Sequence, residues 1–270
     1  MVYDGNIPQQ TAGRTLGRYQ IVRRIGRGGM ADVWLCTDPR LNRQVAIKTL
    51  PAHDPQDTEF TRKFKIEAQA AAALTHPHIV SVHDYGEHRL PDGQVITFIV
   101  MPYISGGSLA DRIETLLNTG TGMSVEEAVT YLSQAASAID YAHQQGLIHR
   151  DIKPGNMLLR DTSWLLLSDF GIARLLSNST EEMQTGTGFG TPEYMAPEQA
   201  RGRGVGASDI YSLAVIAFQL FTGRLPFVAE TTYTLTMQHI LAPPPPRARL
   251  IHSYPSSWNG LFCMVWKKSQ

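Results

Sequence analysis

The hydrophobic period of this chain changes at Pro102, and that change limits the folds open to it. Upstream, apolar residues come in short runs: Tyr19-Gln20-Ile21-Val22, Val33-Trp34-Leu35-Cys36 and Gln44-Val45-Ala46-Ile47-Lys48. Asp38-Pro39 and Leu41-Asn42 separate them, so this part predicts strands joined by tight turns. Two more strands are expected near Ile79–Tyr85 and Val95–Met101. A helix is expected over roughly residues 58–74, with Phe60, Phe64, Ala68, Ala71 and Ala72 on one face. Downstream the spacing is helical. Gly106-Gly107-Ser108 opens one helix, and Ser124 with Glu127 forms a capping box for another that stops at Gly146. Ile210 to Phe221 reads as a buried helix whose free N–H groups Asp209 caps. A chain of 270 residues patterned this way suits an α+β class with two unequal lobes: a small antiparallel β-sheet with one main helix, then a mostly helical part.

Charge narrows the choice of partners. Lysine plus arginine number 24 and aspartate plus glutamate number 24, so bulk electrostatics gives no reason to expect nucleic acid or an anionic membrane surface. The two cysteines, Cys36 and Cys263, lie far apart in sequence and read as free thiols of a reducing compartment. Residues 1–17 are polar and read as a disordered leader without the apolar core of a signal peptide. The longest apolar run, Ile210 to Phe221, is interrupted by Tyr211, Ser212 and Gln219 and falls short of the ~20 residues that a membrane span needs. Pro243 to Pro246 reads as a surface connector, with an adaptor-domain ligand as the alternative.

Two stretches carry chemistry. In the first, Ile25-Gly26-Arg27-Gly28-Gly29-Met30-Ala31-Asp32-Val33 lies between predicted strands, and its glycines let backbone amides approach phosphate oxygens. A plain tight hairpin is the alternative. A Walker loop is excluded because no Gly-Lys-Ser/Thr follows, and strand–loop–strand order disfavours a Rossmann site. Lys48 ends an apolar strand 22 residues after Gly26, where an ammonium could reach phosphates. A buried ammonium needs an anionic partner, and Glu67 on the expected helix is the candidate. The second stretch is His149-Arg150-Asp151-Ile152-Lys153-Pro154-Gly155-Asn156, too rich in proline and glycine for a helix. It sets a carboxylate, an amine and a carboxamide within six residues, and Asp169 follows Asn156 by thirteen. Phosphoryl transfer uses such a set: one group to orient a hydroxyl, one to stabilise charge, and two oxygen ligands for magnesium.

His149-Arg150-Asp151 with Lys153-Pro154 and Asn156, followed by Asp169-Phe170-Gly171, resembles the catalytic loop and metal turn of the protein kinase family. Lys153, two places after Asp151, matches the Ser/Thr-specific branch. Gly190-Thr191-Pro192-Glu193-Tyr194-Met195-Ala196-Pro197-Glu198 resembles the end of the activation segment of Ser/Thr kinases, and Gly28-Gly29-Met30-Ala31 with His76-Pro77-His78-Ile79-Val80 is similar to the bacterial kinases of eukaryotic type. The resemblance covers residues 18–268. It implies a bilobal kinase domain at 18–270, with a small lobe at 18–101, a hinge at 102–106 and a large lobe at 107–270. It implies transfer of the γ-phosphoryl group of ATP to Ser/Thr hydroxyls of protein substrates, with magnesium or manganese, in the cytoplasm. Asp151, Lys153 and Asn156 are then catalytic, and Asn156 and Asp169 hold the metal. ATP would be held by Ile25, Gly26, Arg27, Gly28, Gly29, Met30, Ala31, Val33, Ala46, Lys48, Glu67, Met101, Pro102, Ile104 and Leu158. Met101 takes the gatekeeper place; the Pro102 carbonyl and Ile104 N–H meet the adenine edge.

The resemblance also implies regulation. Arg150 would hold a phosphate on Thr185 or Thr187, placed by autophosphorylation, in trans within a dimer as one route, and Thr191 would shape the acceptor pocket. His149 reads as a packed structural group, since Asp151 already fills the base role. Asp209 is the family's brace of the catalytic loop.

Three features depart from the family pattern. Ala31 stands for the third loop glycine, Pro102 for a frequent glutamate, and the large lobe reads as cut short, its last helix missing after Ser256–Lys268. With that helix would go the arginine that pairs with Glu198. A catalytically impaired ATP-binding pseudokinase or scaffold is therefore the alternative. A small-molecule phosphotransferase is disfavoured by the Thr191–Glu198 segment, and a pure interaction module has only Pro243–Pro246 in its favour.

Overall fold

A computed structural model of the chain describes residues 15–27, 31–50, 58–170 and 192–243 and, in part of the first helix, the backbone alone. The described residues fall into two compact units, Val80–Ile104 joining the N-terminal one and His76–Ile79 the C-terminal one.

The first unit is an antiparallel sheet. Its strands are β1 (Thr15–Leu16), β2 (Tyr19–Arg27), β3 (Asp32–Asp38), β4 (Arg43–Thr49), β5 (Asp84–Arg89) and β6 (Val95–Pro102), in the order β1-β2-β3-β4-β6-β5. Alternation sends every second side chain to one face. On one face Leu16, Tyr19, Ile21, Trp34, Cys36, Val45, Ile47, Phe98 and Val100 close a core. Burial pushes the Cys36 thiol up to about 12, which leaves it an inert packing group. Helix α1 (Thr58–Ala73) buries Ala68 and Ala71. Ala72, expected on the same face, is exposed. The strand expected near Ile79–Tyr85 is also corrected: regular pairing starts at Asp84, and Ile79 makes only an isolated bridge to Leu167.

The second unit is mostly helical: α2 (Leu109–Asn118), α3 (Val125–Gln144), the four-residue α4 (Pro197–Ala200), α5 (Gly206–Thr222) and α6 (Thr232–Leu241), with a hairpin of β7 (Met157–Asp161) and β8 (Trp164–Leu167). Ser108 caps α2 in a reciprocal box with Asp111. Ahead of it, a Cβ on Gly106 would overlap the Leu159 carbonyl oxygen, so this position requires glycine. Ser124 caps α3 as expected by accepting from Glu127 N at 3.1 Å. The return half of that box is not made. The Glu127 carboxylate takes a two-pronged bond from Arg112 instead, at 2.9 and 3.2 Å. Gly146 follows α3 with φ 76°, a left-handed turn glycine as the sequence suggests. Among the described residues no helix is long and apolar enough to cross a membrane.

Candidate active site

Residues 149–153 form neither helix nor strand, so their backbone groups must find other partners. Side chains supply them. Asp209 accepts from His149 N at 2.9 Å and from Arg150 N at 2.8 Å, through different oxygens. Gln199 donates to the Arg150 carbonyl at 2.7 Å. Asp151 N donates to His149 Nδ1 at 3.2 Å, and Asn156 Nδ2 donates to the Asp151 carbonyl at 2.8 Å. Arg150 sits at φ 67°, which costs a side-chain-bearing residue about 1 kcal/mol or more, and these ties hold it there. The expectation that Asp209 caps its own helix is corrected in part. Helix α5 begins at Gly206, so Asp209 lies in its first turn, 1% exposed, and its carboxylate serves the loop and His143 Nε2 at 2.8 Å. The start of α5 is closed by Ser208 Oγ, which accepts from Val205 N at 3.2 Å.

The ties bring three functional groups together. Asp151 Oδ2 meets Lys153 Nζ at 2.8 Å and Asn156 Nδ2 at 3.0 Å. Both contacts fall on one oxygen, and among the described residues nothing else bonds Oδ1. The Asp151 and Lys153 side chains stay 22% and 27% exposed, open enough to meet a substrate. His149 is different. It is fully buried against Phe170, with ring centroids 4.6 Å apart. Its Nδ1 accepts from Asp151 N, so Nε2 carries the hydrogen and donates to the Ser168 carbonyl at 2.7 Å. With both nitrogens engaged, His149 holds the loop.

Ser168 ties this loop to the second carboxylate. Its N and Oγ donate to the Asn156 carbonyl at 2.9 and 3.1 Å, and Asp169 follows it at φ 68°, a second strained residue. Asn156 spends its amide hydrogens on Asp151, which leaves its carboxamide oxygen as an acceptor with no hydrogen bond among the described residues. A carboxamide oxygen and a carboxylate are hard oxygen donors, and that set fits magnesium better than a softer metal. Leu158, half-buried on β7, pairs with Leu166 and bridges Ser108.

In the first unit the register sorts the expected nucleotide residues onto one face. Gly26 pairs with Val33, Val33 with Lys48, and Lys48 with Ile99; two places along, Ala46 pairs with Met101. Paired residues share a face, so Gly26, Val33, Ala46, Lys48 and Met101 lie together, opposite the packed core. Ile25 falls at a register shift in β2, Arg27 pairs with Asp32, and Ala31 precedes β3. Pro102 ends β6, and Ile104 follows it, half-buried. Gly28, Gly29, Met30, Thr185, Thr187, Thr191 and the Glu67 side chain lie outside the described residues, as does the stretch Ser256–Lys268.

Glu198, for which the sequence offers no arginine partner, accepts a hydrogen bond from Ser208 Oγ at 2.6 Å; the stretch where that arginine would stand lies outside the described residues. Sequence reasoning missed Gln199, Ser168 and His143. The only trace of the three is that Ser168 immediately precedes Asp169.

The chain matches the family model "Protein kinase domain" over residues 19–253. It is 40% identical over 231 residues to the serine/threonine-protein kinase PknA of Mycobacterium tuberculosis, covering 85% of this chain and 52% of the relative. It is 43% identical over 246 residues to the serine/threonine-protein kinase PrkC of Bacillus subtilis, covering 90% and 36%. The chain thus spans about half or less of the length of these curated relatives. Among solved structures, the kinase domain of M. tuberculosis PknI superposes with a TM-score of 0.62 at 35% identity, over 82% of this chain and 78% of that one.

Proposed function

Because the chain belongs to the protein kinase family, we propose that it transfers the γ-phosphoryl group of ATP to Ser or Thr hydroxyls of proteins. The observation that carries this reading is the meeting of Lys153 and Asn156 on one oxygen of Asp151. Their pull leaves Oδ1 to orient the acceptor hydroxyl and take its proton. Lys153 stabilises charge on the transferred group. Asn156 and Asp169 hold magnesium, whose charge offsets that of the phosphates. Lys48 and the backbone near Gly26 bind phosphates. Ala46 and Met101 supply apolar surface for adenine, and the Pro102 carbonyl and Ile104 N–H read its edge. Thr191 shapes the acceptor pocket.

Autophosphorylation at Thr185 or Thr187, in trans within a dimer as one route, belongs to the same proposal. Arg150 supports it: its Nε–H is buried beside Gly204 and donates no hydrogen bond among the described residues, so it could donate to an anion. The test is incubation with radiolabelled ATP, magnesium and a basic protein acceptor, with an Asp151→Asn control. Label in protein that disappears in the control supports the reading. Equal label in both sinks it. Mass spectrometry finding no phosphate on residues 172–191 after incubation would remove the autophosphorylation part.

A further inference from the structure

The backbone of residues 149–151 is held by side chains at every point described above, and one holder comes from just beyond the 171–191 segment. Gln199 lies in α4, which follows that segment after only the short turn Pro192–Tyr194. Its Nε2 donates to the Arg150 carbonyl at 2.7 Å and its Oε1 accepts from Ala196 N at 3.4 Å. These two partners fix which way the amide faces. They also fix its chemistry. Near neutral pH a carboxamide both donates and accepts here, whereas an ionised carboxylate would set oxygen against the Arg150 carbonyl and asparagine is one methylene too short. The peptide held this way joins Arg150, at φ 67°, to Asp151.

We propose that Gln199 is a positioning residue for phosphoryl transfer: its bond to the Arg150 carbonyl holds the left-handed peptide that presents the Asp151 carboxylate, and so links the position of α4 to that of the acceptor base. Asp209 restrains the N–H side of Arg150 and Gln199 the carbonyl side of the next peptide, so loss of either lets Asp151 move. The inference rests on the kinase reading above.

The test compares wild type, Gln199→Glu and Gln199→Leu of the whole chain. Steady-state kinetics with ATP, magnesium and a basic protein are run from about pH 8 to about pH 5.5, alongside hydrogen exchange of the peptide covering residues 148–156. Misplacing a reacting group by a fraction of an ångström should lower kcat about tenfold or more, with KM for ATP within about twofold. The Gln199→Glu deficit should narrow toward acid pH, because a protonated carboxyl can again donate to Arg150. The Gln199→Leu deficit should not. Exchange should quicken at 148–156 in both variants and stay unchanged in α3 and α5. Wild-type kcat and exchange in both variants would overturn the proposal, and so would a general loss of protection across α3 and α5, which would mean a folding defect. If wild type transfers no more phosphate than Asp151→Asn, the kinase reading falls. Faster exchange at 148–156 would then leave Gln199 a brace without a catalytic role.

Discussion

Exchanging Asp209 for asparagine keeps the volume of the side chain and removes one acceptor from a site that uses two. The carboxylate takes His149 N and His143 Nε2 on Oδ2 and Arg150 N on Oδ1. An amide turned to keep the first pair points its NH2 at the Arg150 N–H. One buried donor then loses its partner, at about 1–3 kcal/mol, and the two surviving bonds lose charge assistance, at roughly 0.5–1 kcal/mol each. The sum is about 3 kcal/mol, or a fall of roughly 1 M in the urea midpoint for a slope of about 3 kcal/mol/M. The strain at Arg150 is then opposed by fewer ties, and the loop shifts toward ordinary backbone angles. Because Asp151 is the next residue, activity should drop about a hundredfold, mostly in kcat. Unfolding and kinetics on the same preparation check both halves. A variant within about 0.5 kcal/mol and twofold of wild type would refute the account of Asp209 as the brace, since surface changes commonly fall in that range.

Other changes probe separate parts of the structure. Gly106→Ala pushes a methyl group into the Leu159 carbonyl oxygen and should lower stability by about 2 kcal/mol, read as a lower melting temperature. Glu127→Gln weakens the two-pronged bond to Arg112, but the pair is 18% and 40% exposed, so the loss should stay below about 1 kcal/mol in the same measurement. His239, packed against Phe227 and bonded through Nδ1 to Tyr211 OH at 2.8 Å, should make stability depend on pH. Burial pushes it down to about 4, against a smaller upward pull from the Glu193 backbone. The unfolded chain takes up this proton near pH 6.5, so the stabilisation is full above that value and lost as pH falls toward 4. The loss is about 3 kcal/mol. Urea midpoints across that range should fall for wild type and flatten for His239→Gln.

What could be read from the sequence follows the distance over which each feature is decided. The groups at Asp151, Lys153 and Asn156 meet because a loop brings near neighbours together, and neighbours are visible in a sequence. Strands β2 to β4 announce themselves by β-branched and aromatic residues facing a core. Strand β5 does not. Asp84-Tyr85-Gly86-Glu87-His88-Arg89 lies at the sheet edge with no residue fully buried, so it carries no apolar alternation, while the apolar residues just before it look like a strand and are not one. The capping box at Ser124 failed for a similar reason: Glu127 had a better partner in Arg112, fifteen residues back, and a local motif cannot register a competitor supplied by tertiary packing.

The braces of the loop are least legible, because Gln199 and Asp209 lie 49 and 59 residues from Arg150. Nothing local distinguishes them from a surface amide and a helix cap; only the likeness to the kinase family singled out Asp209 as the brace it proves to be, and Gln199 had no such signal. Their chemistry nonetheless follows from a feature that is legible. A segment holding proline and glycine and presenting a charged residue satisfies only part of its own backbone, as His149 and Asn156 do for Asp151, so its remaining N–H and C=O groups demand partners from elsewhere. The number and polarity of such partners can be anticipated: acceptors for the amides of residues 149 and 150, and a donor for the carbonyl of 150. Which residues fill those places is settled only when α4 and α5 pack beside the loop, so the exchange rate of residues 148–156 measures how well that packing serves the carboxylate of Asp151.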